Sequence, residues 1–234
     1  MVIMKKLLIF LAIVAVFALP VAALDESALL SRGKEYTLIT PASAAYADDE
    51  SFKLTDGVKG EQTEGYYYKS GAFVGFNQTN KDENGDFVII LDLGSERTNL
   101  KAFVINYLAE TEAGIYAPEK LTVYVSGEFD GDYTPAGLVT IDETTEMGTS
   151  LTGTATVSTA GDTPGRFVKF VIHHKEPFED GGTTISAGWT FLDEIEVYSS
   201  DTVPKTDDKG TAALLVVGII AFSAFLGLQK KRKT

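Results

Sequence analysis

Between Leu24 and Ser199 the sequence shows almost no helical periodicity. Short β-type runs recur instead, separated by turn residues, and this pattern leaves a sandwich or barrel as the fold class. The clearest runs are FVIILDLG (Phe87 to Gly94), LKAFVINYL (Leu100 to Leu108), LTVYVSG (Leu121 to Gly127), RFVKFVIHH (Arg166 to His174) and FLDEIEVY (Phe191 to Tyr198). Strand alternation sends Leu121, Val123 and Val125 to one face and Thr122, Tyr124 and Ser126 to the other. In the last run Ile195 and Val197 face inward, and Glu194 and Glu196 face outward. The Thr/Gly/Ser-rich stretch from Val139 to Thr163 is weakly patterned and reads as a long loop or an edge hairpin.

Both ends of the 234-residue chain differ from this middle. Residues 1–23 carry Lys5 and Lys6, an apolar run from Leu7 to Pro20, and Val21-Ala22-Ala23. That order predicts a secretory signal peptide cleaved after Ala23, with an uncleaved membrane anchor as the alternative. Residues 211–228 form an uncharged apolar run, followed in 229–234 by the cluster Lys230, Lys231, Arg232 and Lys233. The run is long enough for a transmembrane helix, and its basic tail keeps the C-terminus cytoplasmic and the domain extracellular. Residues 200–210, SDTVPKTDDKG, are a polar linker between domain and membrane run.

Charge and composition then exclude several functions. Six of the 20 Lys and Arg and none of the 33 Asp and Glu lie in the two end segments, so the stretch between them carries −19. Such a surface repels nucleic acid. The absence of Cys excludes disulfides, Cys-ligated metals and a thiol nucleophile, and fits a prokaryotic exported protein. The only histidines, His173 and His174, point to opposite sides if the strand continues through them. Neither a GxSxG elbow nor a GxxxxGK[ST] loop occurs, so catalysis has no recognisable residue set. Asn77-Gln78-Thr79 matches a glycosylation acceptor, which has little meaning in a bacterium.

Six pieces then appear in a particular order: KLTDGV (Lys53 to Val58), GAFVGF (Gly71 to Phe76), VIILDLG (Val88 to Gly94), GIYAPEKLTVYVSGEFDGDY (Gly114 to Tyr133), RFVKFVI, and WTFLDEIEVY (Trp189 to Tyr198). In that order they resemble discoidin-like domains of the coagulation factor 5/8 type C group, which includes the family 32 carbohydrate-binding modules. The resemblance implies a galactose-binding-like β-jelly-roll sandwich over 24–199, non-catalytic, often with a structural calcium and a ligand site in the loops at one end. The ligand is then a glycan or surface polysaccharide, or alternatively a protein partner of a structural or adhesive surface protein.

Chemistry and resemblance together nominate residues. Asp56 before Gly57 offers a carboxylate in a turn where the carbonyls of Leu54 and Val58 can converge, and calcium takes six to eight oxygens. Glu194 matches the glutamate that often completes this site in the family. The other reading makes Asp56 a turn cap and Glu194 a solvated charge. Sugars stack on aromatic rings, which nominates Tyr66, Tyr67, Tyr68, Tyr116 and Trp189, unless these rings only cap the sandwich end. The tail resembles a sortase sorting signal of Gram-positive surface proteins, with Val203, Pro204, Lys205, Thr206 and Asp207 in the pentapeptide position. Asp207 stands where that signal has Gly, and a plain membrane anchor has the same topology. Either way the protein is expected at the cell surface, anchored in the wall or the membrane.

Overall fold

The computed structural model describes residues 24, 26–48, 52–142 and 145–200. Among the described residues nine strands carry the fold: β1 (Tyr36–Leu38), β2 (Val74–Asn77), β3 (Asp86–Glu110), β4 (Lys120–Ser126), β5 (Thr134–Thr140), β6 (Ser150–His173), β7 (Phe178–Asp180), β8 (Thr183–Ile185) and β9 (Trp189–Ser199). Among the described residues no helix is long and apolar enough to cross a membrane. The expected signal peptide, linker, sorting motif, transmembrane run and basic tail lie outside the described residues, Ser200 apart.

Two long strands build the sandwich. β3 and β6 pair antiparallel along their whole lengths, with register shifts between Asp92 and Ala102. There the ladder bends, as bulged ladders do. On one side of the bend the order is β2, β9, β3 and β6; on the other it is β1, β3, β6, β4 and β5. The halves fold face to face. Phe103, Ile105, Leu192, Ile195 and Val197 from the first half join Phe87, Ile89, Leu121, Val123, Val168 and Phe170 from the second in one core cluster. Each such fully buried side chain contributes about 1.5–3 kcal/mol.

The expected alternation in LTVYVS holds as far as Val125, with Leu121, Val123 and Val125 buried and Thr122 and Tyr124 only half-buried; Ser126, expected on the outer face, is buried as well. Two expectations need correction. Residues 150–163 are neither loop nor hairpin but the first half of β6, pairing with β3 from Ser150↔Glu110 to Ser158↔Ala102. And Glu194 and Glu196 do face away from the core, yet they are only 2% and 7% exposed. The outer face of this half-sheet is itself covered. Leu30 N donates to the Val197 carbonyl at 2.7 Å, and Ala28 packs with Ala102, Val104 and Tyr198. A run as apolar as LKAFVINYL, buried on both faces, is the sequence counterpart of that cover.

Candidate functional site

At one end of the first half-sheet a short loop lifts three tyrosines against the start of β9. Glu64 and Gly65 both have positive φ (53° and 85°), the signature of a two-residue turn. Thr63 and Tyr66 exchange backbone hydrogen bonds of 2.8 and 3.1 Å across it. Lys69 Nζ bonds Glu64 Oε2 at 3.1 Å and lies 4.8 Å from the centre of the Tyr66 ring. The loop is anchored from below by Glu110 at the end of β3. Its buried carboxylate accepts from Tyr67 N and Tyr68 N, both at 3.2 Å, and from Ser150 Oγ at 3.0 Å.

That anchoring sets one wall of a cavity of about 190 Å³, lined by Tyr46, Tyr68, Ala113, Ile115, Trp189 and Phe191. Phe191 and Ile115 are buried beneath it. Tyr46 sits edge-on to Trp189 at 5.4 Å and to Tyr68 at 6.3 Å, so the rings are fixed by one another. Burial, with the neighbouring Tyr68, pushes the Tyr46 phenol above its ordinary value, which keeps it a proton donor. The cavity is smaller than the roughly 300–1,000 Å³ that enclose a drug-sized ligand. Its lining combines apolar ring faces with two tyrosines that carry hydroxyls, Tyr46 and Tyr68.

The structure thus brings Tyr68 and Trp189 together, with Tyr66 5.5 Å from Tyr68 at the loop tip. Tyr67 packs half-buried against Phe73, Leu108, Ile115 and Phe191. Tyr116 differs from expectation: it is buried, its hydroxyl contacts Met147 Sδ at 3.8 Å, and its ring meets Phe178 edge-on. Its neighbour Ile115 lines the cavity instead. The two histidines do diverge. His174 is buried, with Nδ1 2.9 Å from Thr190 Oγ1 and Nε2 3.0 Å from the Ala187 carbonyl, and desolvation lowers its pKa. His173 Nδ1 lies 2.7 Å from Asp86 Oδ1. Tyr46 and Glu110 were not legible as site residues, because neither stands in a periodic or repeated motif.

The proposed metal ligands lie on the outer face of the same half-sheet. A bulge in β9 places Leu192 opposite Tyr107 and Glu194 opposite Asn106, so Asp193 and Glu194 both turn away from the core. Gly57 N donates to Glu194 Oε1, and Gly60 N donates to Asp193 Oδ2 at 2.8 Å. Gly57 adopts φ 83°, a conformation that favours glycine. Burial first, then the Asp56 charge, pushes the Glu194 carboxyl from 4.5 up to about 8; burial also raises Asp193. Asp56 caps its own turn, accepting from Val58 N at 2.7 Å, while Arg32 Nη1 reaches the Asp56 carbonyl at 3.4 Å.

The donors this place could offer a cation are the buried carboxyls of Asp193 and Glu194, with the Arg32 guanidinium beside them. Asp193 Oδ1 is buried without a hydrogen-bond partner, beside a buried glutamate that resists ionising alone. Among the described residues no group of three or more His, Cys, Asp or Glu side chains could hold a metal ion. A cation here would therefore need backbone carbonyls such as those of Leu54 and Val58, which is ordinary for calcium.

No protein-family model and no curated protein matches this sequence. Solved structures do. Chitosan-binding module 1 of a chitosanase/glucanase from Paenibacillus sp. IK-5 is similar at 16% identity, covering 73% of this chain and 98% of that one, with a TM-score of 0.46. The Clostridium perfringens module CpGH89CBM32-5, solved in complex with GalNAc-β-1,3-galactose, is similar at 16% identity over 73% and 99% of the two chains, with a TM-score of 0.48. A Streptococcus pneumoniae fucose-binding module, SpX-3, is similar at 14% identity over 73% and 97%, with a TM-score of 0.43.

Proposed function

We propose that this chain is a non-catalytic, discoidin-like binding module that takes a neutral carbohydrate or surface polymer at the Tyr46–Tyr68–Trp189 cavity. The observation that carries the reading is the ring of half-buried aromatics around a small open cavity, held by the buried Glu110 beneath the loop. Such a site stacks on one sugar ring and leaves the rest of the chain in solvent. Its affinity is expected in the micromolar to millimolar range, about −4 to −8 kcal/mol, so display in many copies supplies the avidity. The basic-apolar start and the apolar-basic end of the sequence support anchoring at the cell surface, by sortase attachment through Val203 to Asp207 or by the membrane run itself. Calcium, held through Asp56, Glu194 and the Leu54 and Val58 carbonyls, is the structural ion of this reading.

A neutral-glycan array probed with the full chain, in calcium, tests the ligand. Binding is expected, with loss of at least tenfold in affinity for Trp189→Ala and for Tyr68→Ala while the melting temperature is retained. Binding that survives both substitutions and follows a protein partner would overturn the carbohydrate reading in favour of an adhesive one.

A further inference from the structure

We infer that the outer face of the other half-sheet carries a second sugar-binding platform, for a neutral oligosaccharide lying across the strands. A cavity of about 330 Å³ opens there, between Tyr36 and Phe52 on one side and Phe129 and Phe167 on the other, with Glu35 and Asp92 in its walls. It shares no residue with the Trp189 cavity.

Two features separate this cavity from a gap in the packing. Among the described residues three aromatic side chains are exposed, Phe52, Tyr66 and Phe129, and two of these three flank this cavity at 38% and 37% exposure. Each ring is also held in place. Phe52 has φ 51°, a conformation that bulky side chains avoid. The turn after it is pinned by Tyr36, whose hydroxyl accepts from Leu54 N at 3.2 Å, and by Asp48, which accepts from Lys53 N at 3.2 Å and from the Tyr36 hydroxyl. Tyr36 therefore spends its hydroxyl on the turn, and its ring packs against the core and edge-on to Phe52 at 5.9 Å. Across the cavity, the Tyr133 hydroxyl bonds the Phe129 carbonyl at 3.0 Å, and the Phe129 ring meets Phe167 edge-on at 5.8 Å.

The polar groups favour a neutral sugar. Arg166 grips Asp92 through two bonds of 2.7 Å and lies 4.8 Å from the centre of the Phe167 ring, so that carboxylate is neutralised and immobile. The Glu35 carboxylate has no partner among the described residues and is free to accept sugar hydroxyls. An anionic polymer would meet that charge and the −19 of the chain between its end segments. The spacing suits a chain. Thr37 pairs with Ile90 and Phe167 with Asp92, so the two walls of the cavity stand on strands either side of β3 and share its outer face. Two interstrand spacings make about 10 Å, close to the length of two linked pyranose rings.

The test titrates the full chain, with its phenylalanine and tryptophan rings isotopically labelled, with cellotetraose and with β-1,4-galactotetraose. The Phe52 and Phe129 ring signals should shift and saturate, with affinity falling at least tenfold in Phe129→Ala and in Phe52→Gly and holding in Trp189→Ala. Glycine accepts the φ of position 52, so Phe52→Gly removes the ring and keeps the turn. If neither oligosaccharide shifts these rings, or if Trp189→Ala abolishes the shifts, the platform does not exist. Platform shifts without Trp189 signal changes would leave this inference standing and count against the first site.

Discussion

At the scale of single residues, Glu194 shows how cover converts an ordinary acid into a sensor. Alternation puts it on the outward face of β9, and by sequence an outward glutamate is a solvated charge. The N-terminal segment and the turn at Gly57 roof that face, leaving the carboxyl 2% exposed. Without a cation, desolvation favours the protonated form. The unfolded chain ionises this group near 4.5 and the folded protein near about 8. In between, the folded state holds the extra proton, so its stabilising contribution is fully present below about pH 4.5 and is lost as pH rises through about 8. Chelated protein should therefore melt at progressively lower temperature from pH 5 to pH 8, and Glu194→Gln should flatten this slope. A slope that persists undiminished in Glu194→Gln would assign it to other groups.

At the scale of elements, β6 explains why half of a principal strand escapes a periodicity reading. Its first half, SLTGTATVS, offers only Ala155 and Val157 as fully buried apolar groups. The missing apolar surface comes from across the ladder: Gly153 pairs with Tyr107, and a Cβ at position 153 would stand 2.3 Å from that ring. Tyrosine covers glycine, so the sequence carries no apolar residue where the strand is in fact packed. Gly153→Val should destabilise by about 1–3 kcal/mol through overpacking, measured by denaturant midpoint. An unchanged midpoint would show that the Tyr107 ring has room to move. By contrast, FVIILDLG and LKAFVINYL are legible from sequence, though as two strands; their union into the single bent β3 depends on pairing with β6, which spans the bend.

At the scale of the whole molecule, the proposed calcium would couple the β9 bulge to the turn at Asp56. These segments are more than 130 residues apart in sequence, as the Gly57–Glu194 and Gly60–Asp193 hydrogen bonds show. An ion bound only by the native state adds RT ln(1 + [L]/Kd), roughly 2.7 kcal/mol at a hundredfold excess over Kd. Adding calcium to chelated protein should raise the melting temperature, more at pH 8 than at pH 5, and Asp56→Ala should remove the response. Equal melting curves with calcium and with chelator, together with no calcium by elemental analysis, would overturn the site. The sequence by itself determined the all-β class and the inward faces of β4 and β9, because side-chain alternation is local; Trp189, expected just before the last strand, is instead its first residue. Only the tertiary structure decided that Glu194 is roofed, that Tyr116 is buried, that Glu110 anchors the tyrosine loop, and that Phe52 and Phe129 line one cavity. Each of these depends on which distant segment comes to lie over a given face, and burial by a distant segment leaves no local pattern to read.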